Sequence, residues 1–165
     1  MLAALALSAL LSQGPTPSAE LTVYVFTTTD CPISDRYAPE IQRLAGRFAG
    51  KAKFVLVYPV QTDTPKMIDA RRKKFGYALT YQRDTNQTLV RLTGATVTPE
   101  VAVMRAGQVL YLGRIDDRYI DFGKDRPEPT THDLADALDA LIAGRPVAQK
   151  QTRAVGCIIS DLVKQ

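Results

Sequence analysis

Two hydrophobic periodicities alternate along this chain. Leu21–Thr27 (LTVYVFT) and Phe54–Tyr58 (FVLVY) are short runs rich in β-branched and aromatic residues, the pattern of buried strands. Between them, apolar residues recur at Ile33, Tyr37, Ile41, Leu44 and Phe48, one face of a helix that Gly50 ends and Pro39 interrupts. Thr64–Phe75 predicts a basic amphipathic helix, with Thr64 as N-cap and Pro65 in its first position. A short strand is predicted at Thr80–Arg83 and a helix from Asn86 to Leu92. Strands at Glu100–Met104 and Gln108–Leu112 follow, joined by a hairpin turn at Ala106-Gly107. The polar, proline-bearing stretch 113–130 predicts a long surface loop. A last helix is predicted over His132–Ala143, with Thr131 as N-cap and Gly144 and Pro146 as its stop. Strands alternating with helices imply parallel pairing with helices on both faces, and the late hairpin adds antiparallel strands. The expectation is an α/β fold with a mixed central sheet sandwiched by helices.

The organisation expected is one domain over 20–144, preceded by an apolar segment at 1–19 and followed by a basic tail at 145–165 that contains Cys157. The apolar run from Leu2 to Leu11 is shorter than the ~20 residues a membrane span needs, so no integral span is predicted. It resembles the core of a secretory signal cleaved near Ala19, although a positive start is missing and Pro17 stands where a small residue is usual. The alternative is an N-terminal helix packed on the domain. Export to the periplasm or beyond would let a disulfide persist.

Composition narrows the chemistry. With 165 residues, 45% hydrophobic and 23% charged, the chain has enough apolar material for one real core. The net charge of +4 is concentrated in the tail, where Arg145, Lys150, Arg153 and Lys164 face Asp161 alone. That is not the broad basic face of a nucleic-acid binder. One His and two Cys argue against a multi-histidine metal centre, and no metal or cofactor is expected. Asp116, Asp117, Asp121 and Asp125 lack the spacing of a calcium loop and are interleaved with Arg114, Arg118, Lys124 and Arg126. They read as a salt-bridged or solvated loop. Lys66 and Arg71–Lys74 read as a solvated helix face, and His132 as a surface residue.

Cysteine chemistry remains. Cys31 falls where a buried strand ends and a helix begins, so unsatisfied amides and the helix dipole favour its thiolate. Pro32 costs no hydrogen bond there, while the charge of Asp30 opposes the effect. Ser34, three residues after Cys31, cannot form a disulfide, so no local dithiol exists, but its hydroxyl can donate to a Cys31 thiolate. Cys157, in the short apolar patch Ala154–Ile159, is then the only internal partner. It reads as resolving or paired with Cys31, as a free or intermolecular thiol, or as a small buried residue. Gly156 would allow a close backbone approach.

Cys31-Pro32-Ile33-Ser34, then Ala38-Pro39-Glu40-Ile41, resembles the active-site helix of the thioredoxin superfamily with its kinking proline. Thr98-Pro99-Glu100-Val101, then Gly107, resembles that fold's cis-proline segment, strand and turn. The resemblance implies a thioredoxin-like three-layer sandwich, with a cis Thr98–Pro99 bond near Cys31. Thr28-Thr29-Asp30-Cys31 is similar to the redoxin group of alkyl hydroperoxide reductase and thiol-specific antioxidant relatives. There the Thr28 hydroxyl would bond the reactive Cys, but Tyr24 replaces the signature proline. A peroxidase would also need an arginine beside the thiolate, with Arg114 and Arg91 as candidates. A CxxxC-type copper site is missing.

The resemblance thus implies Cys31, Cys157, Ser34 and Thr28 as catalytic residues, and Thr98, Pro99, Asp30 and Arg114 around the substrate. The substrate would be a protein thiol or disulfide, or a hydroperoxide, with a cytochrome or thiol reductant as redox partner. The competing expectation is a non-catalytic redoxin-derived binding module with a structural Cys31–Cys157 bridge.

Overall fold

The computed structural model describes residues 20–159, so the signal-like segment at 1–19 and tail residues 160–165 lie outside the described residues. The elements run β1 Leu21–Phe26, α1 Pro32–Arg47, β2 Ala52–Tyr58, α2 Pro65–Phe75, β3 Thr80–Arg83, α3 Thr88–Thr93, β4 Val97–Thr98, β5 Glu100–Arg105, β6 Gln108–Gly113, β7 Tyr119–Asp121, β8 Lys124–Asp125, α4 Asp133–Ile142 and β9 Cys157–Ile158. Five strands form one sheet in the order β3-β2-β1-β5-β6. The pairs β1–β2 and β2–β3 are parallel, while β5 runs antiparallel to both β1 and β6.

Strand alternation explains the layering. Successive side chains of a strand point to opposite faces. On one face Leu21, Val23 and Val25 of β1 join a cluster with Ile33, Tyr37, Ile41 and Leu44 of α1 and Leu134 and Leu138 of α4. On the other, Phe26 packs with Val57, Val90 of α3, Ala102, Leu112 and Ile159. The sheet is mixed and covered on both sides.

Local signals act where the pattern placed them. The Thr64 hydroxyl accepts the Met67 N–H at 3.3 Å, and Gly76 closes α2 in the left-handed conformation. Ala106 and Gly107 both have positive φ, the conformation of a tight primed turn between right-twisted strands.

Three features differ from expectation. The stretch 113–130 is not simply a surface loop: it carries the small hairpin β7–β8 and buries Ile115, Asp116 and Asp117. Asp116 accepts the Tyr37 hydroxyl at 2.5 Å, and Asp117 accepts the N–H groups of Thr130 and Thr131 at 2.6 and 2.9 Å. Its short polar side chains turn inward because these donors satisfy them. The N-cap of α4 is His132, without a side-chain cap, and the Thr131 hydroxyl instead donates to Asp133 at 2.8 Å. Finally, the chain after α4 is packed onto the body. Leu112 donates its N–H to the Lys150 carbonyl at 2.9 Å, and Thr152 returns one to Leu112 at 3.1 Å. β9 then pairs antiparallel with β4.

Candidate active site

Cys31 caps the N-terminus of α1. Its φ and ψ of −88° and 111° are extended, its carbonyl accepts the Asp35 N–H at 3.1 Å, and Pro32 takes the first helical position. The parallel strands β1 and β2 end at this edge of the sheet. The thiol is 1% exposed and donates to the Thr98 carbonyl at 3.1 Å. The Thr98–Pro99 peptide bond is cis.

The tail brings the second cysteine here. Thr98 pairs with Cys157 and Val97 with Ile158. Gly156 lies against the Thr98 carbonyl so closely that a Cβ at this position would stand 2.6 Å from the carbonyl carbon and 3.1 Å from the Pro99 nitrogen. Cys157 thereby places its sulfur 2.7 Å from that of Cys31, and both are free thiols. A disulfide, at ~2.05 Å, needs only a small further approach.

The two thiols are shifted in opposite directions. Burial pushes Cys31 up, but the Cys157 thiol and the backbone N–H and hydroxyl of Ser34 favour its anion more strongly and bring it below the ordinary thiol value. Ser34 is itself buried. On Cys157, burial and then the adjacent Cys31 push the thiol up to about 12. Of the two, Cys31 is the more readily ionised, and the Cys157 thiol donates to it at 2.7 Å.

The loop before Cys31 rests on groups from the β2–α2 connection and from α2. Asp63 accepts the N–H of Thr29 at 3.0 Å and also its hydroxyl. Burial raises the pKa of Asp63, and one of its oxygens has no partner. Arg71 reaches from α2 to donate to the carbonyls of Thr29 and of Cys31, the latter at 3.2 Å, and pairs with Asp35 of α1. Its guanidinium also lies 5.5 Å from the centre of the Phe75 ring. Neither Asp63 nor Arg71 was singled out from the sequence. A signal existed for Arg71, which lies three residues after Ile68 and four before Phe75, on the inward side of α2.

The remaining expected site residues divide, with Thr28, Thr98 and Pro99 near Cys31 and Arg114 and Arg91 engaged elsewhere. The Thr28 hydroxyl lies 3.5 Å from that of Thr98. Asp30 is exposed on the loop. Arg114 is held by both oxygens of Asp133, at 2.9 and 3.2 Å, and Arg91 is exposed on α3. Thr98 and Pro99 are both buried beside Cys31. The Tyr119 ring stacks 5.8 Å from Tyr37, so β7 leans on α1 near the site. Among the described residues, no group of three or more His, Cys, Asp or Glu is placed to hold a metal ion.

No protein-family model and no curated protein sequence matches the chain. Solved structures do. An uncharacterized conserved protein from Geobacillus kaustophilus is 27% identical, with a TM-score of 0.75 over 90% of this chain and 80% of that one. A hypothetical protein from Sinorhizobium meliloti 1021 is 26% identical, with a TM-score of 0.72 over 86% and 80%. A thioredoxin-like protein solved in its oxidized form is 14% identical, with a TM-score of 0.57 over 77% and 80%. The central mixed sheet covered on both faces, with Cys31 at the head of α1 facing Thr98–Pro99, is the thioredoxin-like fold.

Proposed function

We propose that this chain is a thiol-based oxidoreductase in which Cys31 and Cys157 cycle between dithiol and disulfide. The reading rests on one observation above all, two free sulfurs 2.7 Å apart. The thiolate, not the thiol, is the nucleophile in exchange. In reducing a partner disulfide, one cysteine joins a partner sulfur in a mixed disulfide as the partner's other sulfur leaves as a thiol, and the second cysteine attacks its companion's sulfur, displacing the partner as the internal disulfide closes. Two electrons and two protons leave the pair for each disulfide reduced, and the reverse reaction oxidises a dithiol. Ser34 supports the anion, and Thr98 and Pro99 frame it.

Exchange is favoured over peroxide reduction because no arginine head group faces the Cys31 sulfur among the contacts described. Arg71 is held by backbone carbonyls and Asp35, and Arg114 by Asp133. Work in an oxidising compartment, after removal of residues 1–19, belongs to the same proposal, as does a protein thiol or disulfide as substrate.

The test is redox titration of the purified chain in glutathione buffers, with Cys31→Ser and Cys157→Ser as controls. A reversible internal disulfide is expected, lost in both variants, together with catalysis of reduction of a model protein disulfide. A bridge with a potential below about −300 mV and no exchange activity would make it structural. Hydroperoxide consumption above the level of Cys31→Ser would restore the peroxidase reading.

A further inference from the structure

The two cysteines are not equally placed for the outside world. Cys31, the more acidic, is 1% exposed, with its sulfur closed in by the Thr98 carbonyl on one side and Cys157 on another. The tail over it is not loosely laid. β9 pairs with β4, Ile159 donates its N–H to the Thr96 carbonyl at 3.0 Å, and the Ile159 side chain is buried in the second core cluster. Gly156 is pressed against Thr98 and Pro99 with no room for a side chain. β4 is a two-residue strand whose partner is β9, so the tail occupies the edge on which another extended chain could pair. Cys157 by contrast is only partly buried, and the next residue, Ile158, is 78% exposed.

Resting on the proposed exchange function, we infer that Cys157, not the helix-capping Cys31, is the sulfur that external thiols engage. In the oxidised chain an incoming thiolate attacks the Cys157 sulfur. A bond forms between the partner sulfur and Cys157, the Cys157–Cys31 bond breaks, and the electron pair leaves on Cys31. Two independent features favour this direction. Approach to Cys31 is blocked by the seated tail, and the better leaving group is the thiol of lower pKa. A second thiolate of the partner then attacks the partner sulfur in the mixed disulfide. The partner leaves as a disulfide, and Cys157 leaves as a thiolate that takes up a proton at once. The balance is two partner thiols oxidised and one internal disulfide reduced. The arrangement suits a chain that oxidises dithiols presented on the outside of the tail, with Ile158 as an apolar contact for the carrier. It divides the labour: Cys157 meets the partner, and buried Cys31 opens and recloses the bond.

The experiment uses the full wild-type chain oxidised to its internal disulfide. It is mixed with reduced glutathione for a short time and quenched with acid and N-ethylmaleimide, and the peptides carrying each cysteine are mapped by mass spectrometry. Glutathione is expected on Cys157 with the maleimide on Cys31, in excess over the reverse adduct by at least about tenfold. Glutathione on Cys31 with maleimide on Cys157, or equal labelling of both, overturns the inference while leaving the redox pair intact. Failure to form any Cys31–Cys157 disulfide overturns the proposed function itself and this inference with it.

Discussion

Replacing Gly156 by Ala puts the seating of the tail to a quantitative test. The added Cβ would lie 2.6 Å from the Thr98 carbonyl carbon and 3.1 Å from the Pro99 nitrogen, with the carbonyl oxygen closer still. All three are backbone atoms, so no rotamer change relieves the collision. Overpacking of this kind costs about 1–3 kcal/mol if the tail stays seated. The alternative is for the tail to lift, which surrenders the Ile159–Thr96 hydrogen bond, the two β4–β9 residue pairs and the burial of Ile159. A net hydrogen bond contributes about 0.5–1.5 kcal/mol, and burial of an isoleucine about 1.5–3 kcal/mol. The two routes are similar in cost, so the chain is expected to lose about 2 kcal/mol whichever it takes. For a chain of this size that lowers Tm by about 4–8 °C. Because the same contacts hold Cys157 over Cys31, the effective concentration of one thiol at the other should also fall, by at least about tenfold. Urea denaturation reads the first quantity, and the fraction of internal disulfide in glutathione buffers reads the second. Gly46→Ala is the control, since a Cβ there meets nothing within 4 Å and replaces a helical glycine. An unchanged denaturation midpoint and an unchanged disulfide equilibrium in Gly156→Ala would refute the account of a tail clamped on Thr98–Pro99.

Three further outcomes are expected. Thiol titration by absorbance near 240 nm should place Cys31 below the ordinary thiol value, and both Ser34→Ala and Cys157→Ala should move it upward, because each removes a donor that favours the anion. Arg71→Met leaves the Thr29 and Cys31 carbonyls and Asp35 without their cation, and should cost about 2–3 kcal/mol in urea denaturation, with Arg71→Lys recovering part of it. The Asp117 carboxyl is raised by desolvation but lowered more by Thr130, Thr131 and Arg126, to about 2. A depressed carboxylate pKa contributes stability that is present above the unfolded value and lost as pH falls through the folded one, so stability should drop as pH falls from about 4 to about 2. In Asp117→Asn that part of the acid dependence should disappear from a series of denaturation midpoints.

The strands and helices that carry the site were legible because their signals are local. LTVYVF and FVLVY can only hide in a sheet, the 4-4-3-4 spacing from Ile33 can only hide as a helix face, and Pro32, Thr64 and Gly76 mark helix ends by their own backbone chemistry. Cys31 at a strand-to-helix junction was legible for the same reason. Asp116 and Asp117 were read as a salt-bridged or solvated loop; Asp117 does pair with Arg126 at 3.2 Å, but the burial of both was not legible, because a carboxylate looks alike in sequence whether water or Tyr37, Thr130 and Thr131 satisfy it. Arg71 was read as part of a solvated basic face although its spacing from Ile68 and Phe75 pointed inward; its targets are main-chain carbonyls, which no residue type announces.

Periodicity and capping over a few residues thus set the elements, their alternation and the position of Cys31 at the head of α1. Which second thiol meets Cys31 was decided only by tertiary structure. The meeting depends on β9 finding the edge of β4, on Gly156 having no side chain where Thr98 passes, and on Ile159 filling a gap in the far face of the sheet. Each of these is a contact between residues far apart in the chain, whose free energy exists only once both surfaces are built.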